Sequence, residues 1–262
     1  MSADVGAVVP AAGQGARFGG RVSKPLAALR GRPLIAHALD ALERTPSIGW
    51  IVLVARPEDR PAMARMTKAA RWRKLSAIVP GGATRAESVT RGIDALPAAA
   101  RWVLVHDGAR PCLTSELAES VIKAAKPHGA AASGRPAWLT VKAVDEDLSV
   151  RLTLDRDGLW FVQTPQVFCR DWVTEALGLA SRTATNGKTG GRVMTPAQFT
   201  DDAALLEWAG FPVRMVPGDP WNIKVTTQED VILAEAILQA QARRTPAAKA
   251  AGPRRVRTKT SR

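Results

Sequence analysis

Short β-branched runs alternate along this chain with stretches of helical periodicity, and that alternation limits it to a small set of folds. The runs are Val5–Val9, Trp50–Val54, Leu75–Val79, Trp102–Val105 and Phe211–Val216. Pro33–Arg44, Ala86–Leu96, Ser115–Ala125 and Asp201–Ala209 carry apolar residues at helical spacing. Strands that take turns with helices predict an α/β fold, a mostly parallel sheet covered on both faces. Ligands of such sheets sit outside the carboxyl ends of the strands, so the loops after the first and fourth runs are the places to look. Gly134–Leu159 breaks the pattern with partial alternation around Asp145-Glu146-Asp147, which predicts a β-hairpin arm. Ser181–Gly191 is rich in Thr, Gly and Asn and reads as a mobile loop.

With 262 residues and 46% hydrophobic content the chain can bury a full core. One domain is expected over residues 1–242, followed by a basic, disordered tail over 243–262. Eight of the +13 formal charges lie in that tail, which has no Asp or Glu, so the first 242 residues carry +5. That balance suits an enzyme of polyphosphates and requires no specific nucleic acid. Cys112 and Cys169 lie far apart without a CxxC pair, which argues against a disulfide framework or zinc site and points to a reducing cytoplasm. The run Val5–Ala12 lacks a basic lead and is broken by Pro10 and Gly13, so neither a signal peptide nor a membrane span is expected.

The first strand runs into Pro10-Ala11-Ala12-Gly13-Gln14-Gly15-Ala16-Arg17-Phe18, with Lys24 seven residues after Arg17. Gly13 and Gly15 let backbone N–H groups approach a triphosphate, and Arg17 and Lys24 can neutralise charge that grows on a phosphorus in transit. Phe18 stands where a dinucleotide fingerprint needs glycine, and Arg21-Val22 replaces the Lys-Ser/Thr of a Walker A loop. Asp107 closes the fourth strand, where a carboxylate beside a triphosphate is a natural hard-oxygen ligand for Mg²⁺. His106 reads as structural, because an attacking phosphate is already anionic and needs no base.

Pro-Ala-Ala-Gly-x-Gly-x-Arg followed by Lys resembles the signature loop of nucleotidyltransferases that make sugar-nucleotide bonds. Five further blocks follow in order: Gly81-Gly82-Ala83-Thr84-Arg85-Ala86-Glu87-Ser88-Val89, Val105-His106-Asp107-Gly108-Ala109-Arg110-Pro111, Thr164-Pro165-Gln166, Thr200-Asp201-Asp202, and Asn222-Ile223-Lys224-Val225-Thr226. Together they resemble the 2-C-methyl-D-erythritol 4-phosphate cytidylyltransferase family. The resemblance implies a Rossmann-like nucleotidyltransferase sheet with a protruding arm, a homodimer that exchanges arms, Mg²⁺, and the joining of CTP to a polyol phosphate. It implies further that Ala11, Ala12, Gly82 and Ser88 hold cytosine and ribose, and that Arg17 and Lys24 stabilise the transition state. Arg110, Thr140, Arg156 and Lys224 match acceptor-phosphate and positioning residues, Arg156 reaching across the dimer. Leu139 stands where the family has Asp before the residue matched by Thr140, Ser23 and Pro25 flank Lys24, and Trp221 replaces an acidic residue. The acceptor the resemblance implies is 2-C-methyl-D-erythritol 4-phosphate, in non-mevalonate isoprenoid precursor synthesis, and the altered Leu139 keeps ribitol 5-phosphate or another polyol phosphate as the alternative. From another class, an inactive nucleotide-binding module with a polyanion-binding tail is the alternative.

Overall fold

The computed structural model describes residues 3–13, 18–19, 23–186 and 199–250. From the N-terminus come β1 (Val5–Ala11), the short pair β2 (Ala28–Leu29) and β3 (Arg32–Pro33), α1 (Leu34–Arg44), β4 (Ile48–Ala55), α2 (Arg60–Ala70), β5 (Leu75–Pro80), α3 (Arg85–Asp94) and β6 (Trp102–Val105). Then follow α4 (Ser115–His128), β7 (Ala130–Pro136), β8 (Val141–Val144), β9 (Val150–Leu154), β10 (Trp160–Cys169), α5 (Arg170–Asn186), α6 (Asp202–Trp208), β11 (Arg214–Pro217) and α7 (Gln228–Ala250). Seven strands form one sheet in the order β11-β7-β10-β6-β1-β4-β5. β1 pairs parallel with β4 and β6, β4 with β5, and β7 with β11. Among the described strands of this sheet, only β10 runs antiparallel to its neighbours, β6 and β7. The mostly parallel α/β sheet expected from the alternation is therefore present.

β1 is apolar along its length because both of its faces are covered. Val5, Ala7, Val9 and Ala11 share a buried cluster with Ile35, Leu39 and Leu42 of α1 and with Val121 and Ile122 of α4. Val8 points the other way, into a cluster with Val52, Val105, Val89 and Ile93 of α3, Val173 of α5, and Leu205 and Leu206 of α6. Burying each large apolar side chain contributes about 1.5–3 kcal/mol, which is why this central strand dictates the layering. Gly92 marks where α3 crosses β1: a Cβ there would run into the Val8 side chain. The crossing keeps α3 close to the sheet, with its N-terminus at the edge where β1, β5 and β6 end.

β7 and β11 run in the same sense as β6, so their carboxyl ends reach that edge too. The arm leaves from it. Val141 pairs with Leu154 and Ala143 with Leu152 in a separate two-stranded ladder, as expected for Gly134–Leu159. A third cluster seats α7, through Ala234 and Ile237, against Phe18, Leu29, Leu34, Cys112 and Val225. Two expectations need correction. α5 continues to Asn186 through the first half of the supposed mobile loop, and residues 187–191 lie outside the described ones. Likewise α7 does not stop before Arg243 but runs to Ala250, with the Arg244 guanidinium 4.9 Å from the Trp221 ring centre. Residues 251–262 of the expected tail lie outside the described residues. Among the described residues no helix is long and apolar enough to cross a membrane.

Candidate active site

A cavity of about 410 Å³ opens at the carboxyl edge between the turn after β1 and the turn before α3. Pro10, Ala11, Ala12 and Gly13 form one wall, Gly82, Ala83, Thr84 and Ser88 another, and Lys24 reaches it from a 3-10 turn. The two turns touch: a Cβ on Gly81 would collide with Ala12, so only glycine permits the approach. The Thr84 hydroxyl caps α3 by accepting from the Glu87 N–H at 3.1 Å, while the Glu87 carboxylate accepts from the Ala83 N–H at 2.9 Å. The Ser88 hydroxyl accepts from the Gly82 N–H and donates to the Thr84 carbonyl, both at 3.0 Å. Ser88 thus sets the Gly82 backbone. The free N–H groups and dipole of α3 favour an anion in this cavity.

A second cavity of about 400 Å³ lies toward β10 and α6, lined by Arg110, Gln163, Thr164, Gln166, Asp201 and Glu207 among others. Arg85, Asp107 and Lys224 line both cavities and form the wall between them. Asp107 Oδ2 meets Lys224 Nζ at 2.8 Å and Arg110 Nε at 3.9 Å, and its Oδ1 meets Arg85 Nη2 at 3.3 Å. Burial by itself pushes the Asp107 carboxyl upward, but Arg85, Lys224 and Arg110 outweigh it and hold the group well below the usual carboxylate range. Burial disfavours the Arg85 charge as well, yet Asp202 and Asp107 reverse that effect and raise it further. Arg110 donates to the Asn222 carbonyl at 2.9 Å, and its Nε is buried without a hydrogen-bond partner, as is Gln163 Oε1. One unused donor and one unused acceptor therefore sit near the second cavity.

His106 is fully buried, and burial lowers it to about 4, so the ring is neutral. Its Nε2 donates to the Arg110 carbonyl at 3.1 Å, which leaves Nδ1 to accept from the Thr164 hydroxyl at 3.2 Å. That hydroxyl in turn accepts from the Asp107 N–H at 3.0 Å. His106 braces the two ends of the segment from Asp107 to Arg110.

Of the residues singled out in the sequence, Ala11, Ala12, Gly13, Lys24, Gly82, Ser88, Asp107 and Lys224 line the first cavity, and Asp107, Arg110 and Lys224 the second. Arg17 and Gly15 lie outside the described residues. Thr140 and Arg156 are exposed on the arm and line neither cavity; Arg156 Nη1 donates to the Trp138 carbonyl at 2.7 Å. Arg85, Gln163 and Thr164 were not assigned roles from sequence. Arg85 and Thr164 nonetheless lie inside the motif blocks, beside residues that were. Among the described residues no group of three or more His, Cys, Asp or Glu could hold a metal unaided. Asp107 offers a single hard-oxygen ligand, which fits Mg²⁺ arriving with phosphates that supply the rest.

A family model described as IspD: 2-C-methyl-D-erythritol 4-phosphate cytidylyltransferase matches residues 5–240. The chain is 41% identical over 234 residues to the 2-C-methyl-D-erythritol 4-phosphate cytidylyltransferase of Desulforamulus reducens, covering 89% of this chain and 95% of the relative. It is 41% identical over 239 residues to the enzyme of the same name from Pelotomaculum thermopropionicum, covering 90% and 95%. The crystal structure of 4-diphosphocytidyl-2C-methyl-D-erythritolsynthase from Anaerococcus prevotii superposes with a TM-score of 0.73 at 31% identity, over 90% of this chain and 98% of that one.

Proposed function

The chain belongs to the 2-C-methyl-D-erythritol 4-phosphate cytidylyltransferase family, and from that premise we propose how its residues divide the work. The enzyme is a nucleotidyltransferase that joins CTP to 2-C-methyl-D-erythritol 4-phosphate in isoprenoid precursor synthesis, forming the CDP-linked alcohol and pyrophosphate. CTP takes the first cavity, its base and ribose against Ala11, Ala12, Gly82 and Ser88 and its phosphates toward Gly13, Gly15, Arg17 and Lys24. The acceptor takes the second cavity, its phosphate held by Arg110 and Lys224, with Thr140 and Arg156 of a second copy closing over it. The observation that carries this division is the pair of near-equal cavities meeting at a wall that includes Asp107 and Lys224.

In this reading an acceptor phosphate oxygen attacks the α-phosphorus in line, the bond to the pyrophosphate oxygen breaks, and no proton need be removed. Catalysis is positioning and charge neutralisation. Arg17 and Lys24 oppose the charge growing on the α-phosphoryl oxygens, and Lys224 aims the acceptor. Asp107 would contribute one ligand to Mg²⁺, which when bound supplies charge neutralisation across the phosphates. The cytoplasm and a homodimer formed by arm exchange complete the reading; the exposed apolar side chains of the arm support the dimer. Pyrophosphate release with CTP, Mg²⁺ and either 2-C-methyl-D-erythritol 4-phosphate or ribitol 5-phosphate tests it. Turnover with methylerythritol phosphate and CTP is expected, and equal turnover with UTP or ATP would overturn the assignment of the first cavity.

A further inference from the structure

Arg85, the first residue of α3, is shared by two carboxylates from different elements. Its Nη1 donates to Asp202 Oδ1 at 2.8 Å and its Nη2 to Asp107 Oδ1 at 3.3 Å. Asp202 is the more deeply buried partner. It opens α6 and is 4% exposed, and its other oxygen is buried without a hydrogen bond. The start of α6 is pinned independently, since Asp201 accepts from Ala204 N at 2.9 Å and from Gln166 Nε2 at 2.7 Å, and Gln166 Oε1 accepts from Ala203 N at 3.0 Å. Asp107, by contrast, stands in the wall between the two cavities with its Oδ2 on Lys224. A guanidinium serving only to neutralise Asp202 needs one of these contacts, and a buried ion pair adds little stability over an apolar one. The second contact is what places Arg85 at the site.

We propose that Arg85 is a positioning residue for cytidylyl transfer: anchored on buried Asp202, it sets the orientation of the Asp107 carboxylate at the junction of the nucleotide and acceptor cavities. The inference rests on reading Asp107 as part of the reacting centre. Arg85 suits the task because its planar fork can reach two carboxylates at fixed angles, whereas a lysine ammonium is a point charge on a flexible stem. Tethered to Asp202, the guanidinium cannot follow Asp107 as the carboxylate turns, so Oδ1 is fixed and Oδ2 is left facing Lys224.

The test uses the full chain with CTP and 2-C-methyl-D-erythritol 4-phosphate, reading kcat, KM for CTP and Tm. Arg85→Gln leaves the Asp202 carboxylate buried and unpaired, so both Tm and kcat fall. In Arg85→Gln with Asp202→Asn that lone charge is gone and Tm recovers. If Arg85 positions Asp107, kcat in the double variant stays roughly ten- to a hundredfold below the parent while KM for CTP moves by less than about threefold. Recovery of kcat together with Tm overturns the proposal. Arg85→Lys keeps the charge opposite Asp202 and stays folded on either account. A fall in kcat of about tenfold at unchanged Tm supports positioning, and parental kcat overturns it. Asp107→Asn separates the two levels: parental turnover there removes the reading of Asp107, and this inference with it, whatever Arg85 does.

Discussion

A carboxylate packed into the edge of a sheet stays ionised only if cations surround it, and Asp107 has Arg85, Lys224 and Arg110. His106, its neighbour in sequence, shows the opposite outcome, since burial outweighs the nearby Asp107 charge and leaves the ring neutral. In the unfolded chain the same ring protonates near 6.5. As pH falls below that value the unfolded state gains a proton that the folded state refuses until about 4. Folding stability from this residue is therefore intact above 6.5 and lost on acidification, by about 3 kcal/mol at most. Urea midpoints at pH 7 and pH 5 should show this loss in the parent and a smaller one in His106→Gln, whose amide can still donate to the Arg110 carbonyl. Turnover of His106→Gln near pH 8 should stay close to the parent's; a collapse in kcat with the fold intact would make His106 a participant in the chemistry. Lys24 is the reverse case. Lys24→Ala, and likewise Arg17→Ala, should lower kcat by roughly two or more powers of ten, while calorimetry records a much smaller change in CTP affinity.

At the scale of elements, what the sequence disclosed follows burial. β1, β4 and β6 read as strands because each is covered on both faces, and α1 and α4 as helices because each lays one apolar stripe on the sheet. α2 escaped notice since only Met63 is fully buried and Met66 partly so, too few large apolar residues to leave a clear periodicity. β7 begins Ala-Ala-Ala-Ser-Gly, residues of low strand propensity that lie flat between β10 and β11, so its place in the sheet is decided by neighbours rather than by its own composition. The site divides in the same way. Glycines and cations in the loops were legible because few structural reasons account for them. Arg85 was hidden among helix-start residues, since its partner Asp202 lies 117 positions away and only the folded sheet brings them together. Ser88 was legible by type, and the fold adds what the sequence does not show: its hydroxyl accepts from the Gly82 N–H and donates to the Thr84 carbonyl. Ser88→Ala should therefore cost about 1 kcal/mol in stability and raise KM for CTP more than it lowers kcat, measured by initial rates over a range of CTP. A fall in kcat at unchanged KM would place the hydroxyl on the reacting phosphate instead.

For the whole molecule, the arm is what a single chain leaves unfinished. Leu139, Leu148 and Val150 are 61%, 78% and 58% exposed, and every residue of β9 faces solvent. A two-stranded ladder on its own is marginally stable in water, so a side chain set of this kind calls for a covering surface, and a two-fold exchange of arms between identical chains, as proposed above, would supply one. Arg156 lies on this arm and lines neither cavity of its own chain. A guanidinium delivered to the partner's acceptor cavity could hold two phosphate oxygens at once and aim the third at CTP. Each active site would then need Arg17 from one chain and Arg156 from the other. Arg156→Ala and Arg17→Ala chains should each be nearly inactive alone, yet regain turnover when mixed and allowed to exchange subunits, because half of the sites in a mixed dimer contain both arginines. Statistical exchange puts the recovered activity at about a quarter of the parent's at equal amounts. Mixtures that stay inactive, with each variant dimeric by light scattering and exchange verified by a tagged chain, would show that Arg156 does not act across the dimer.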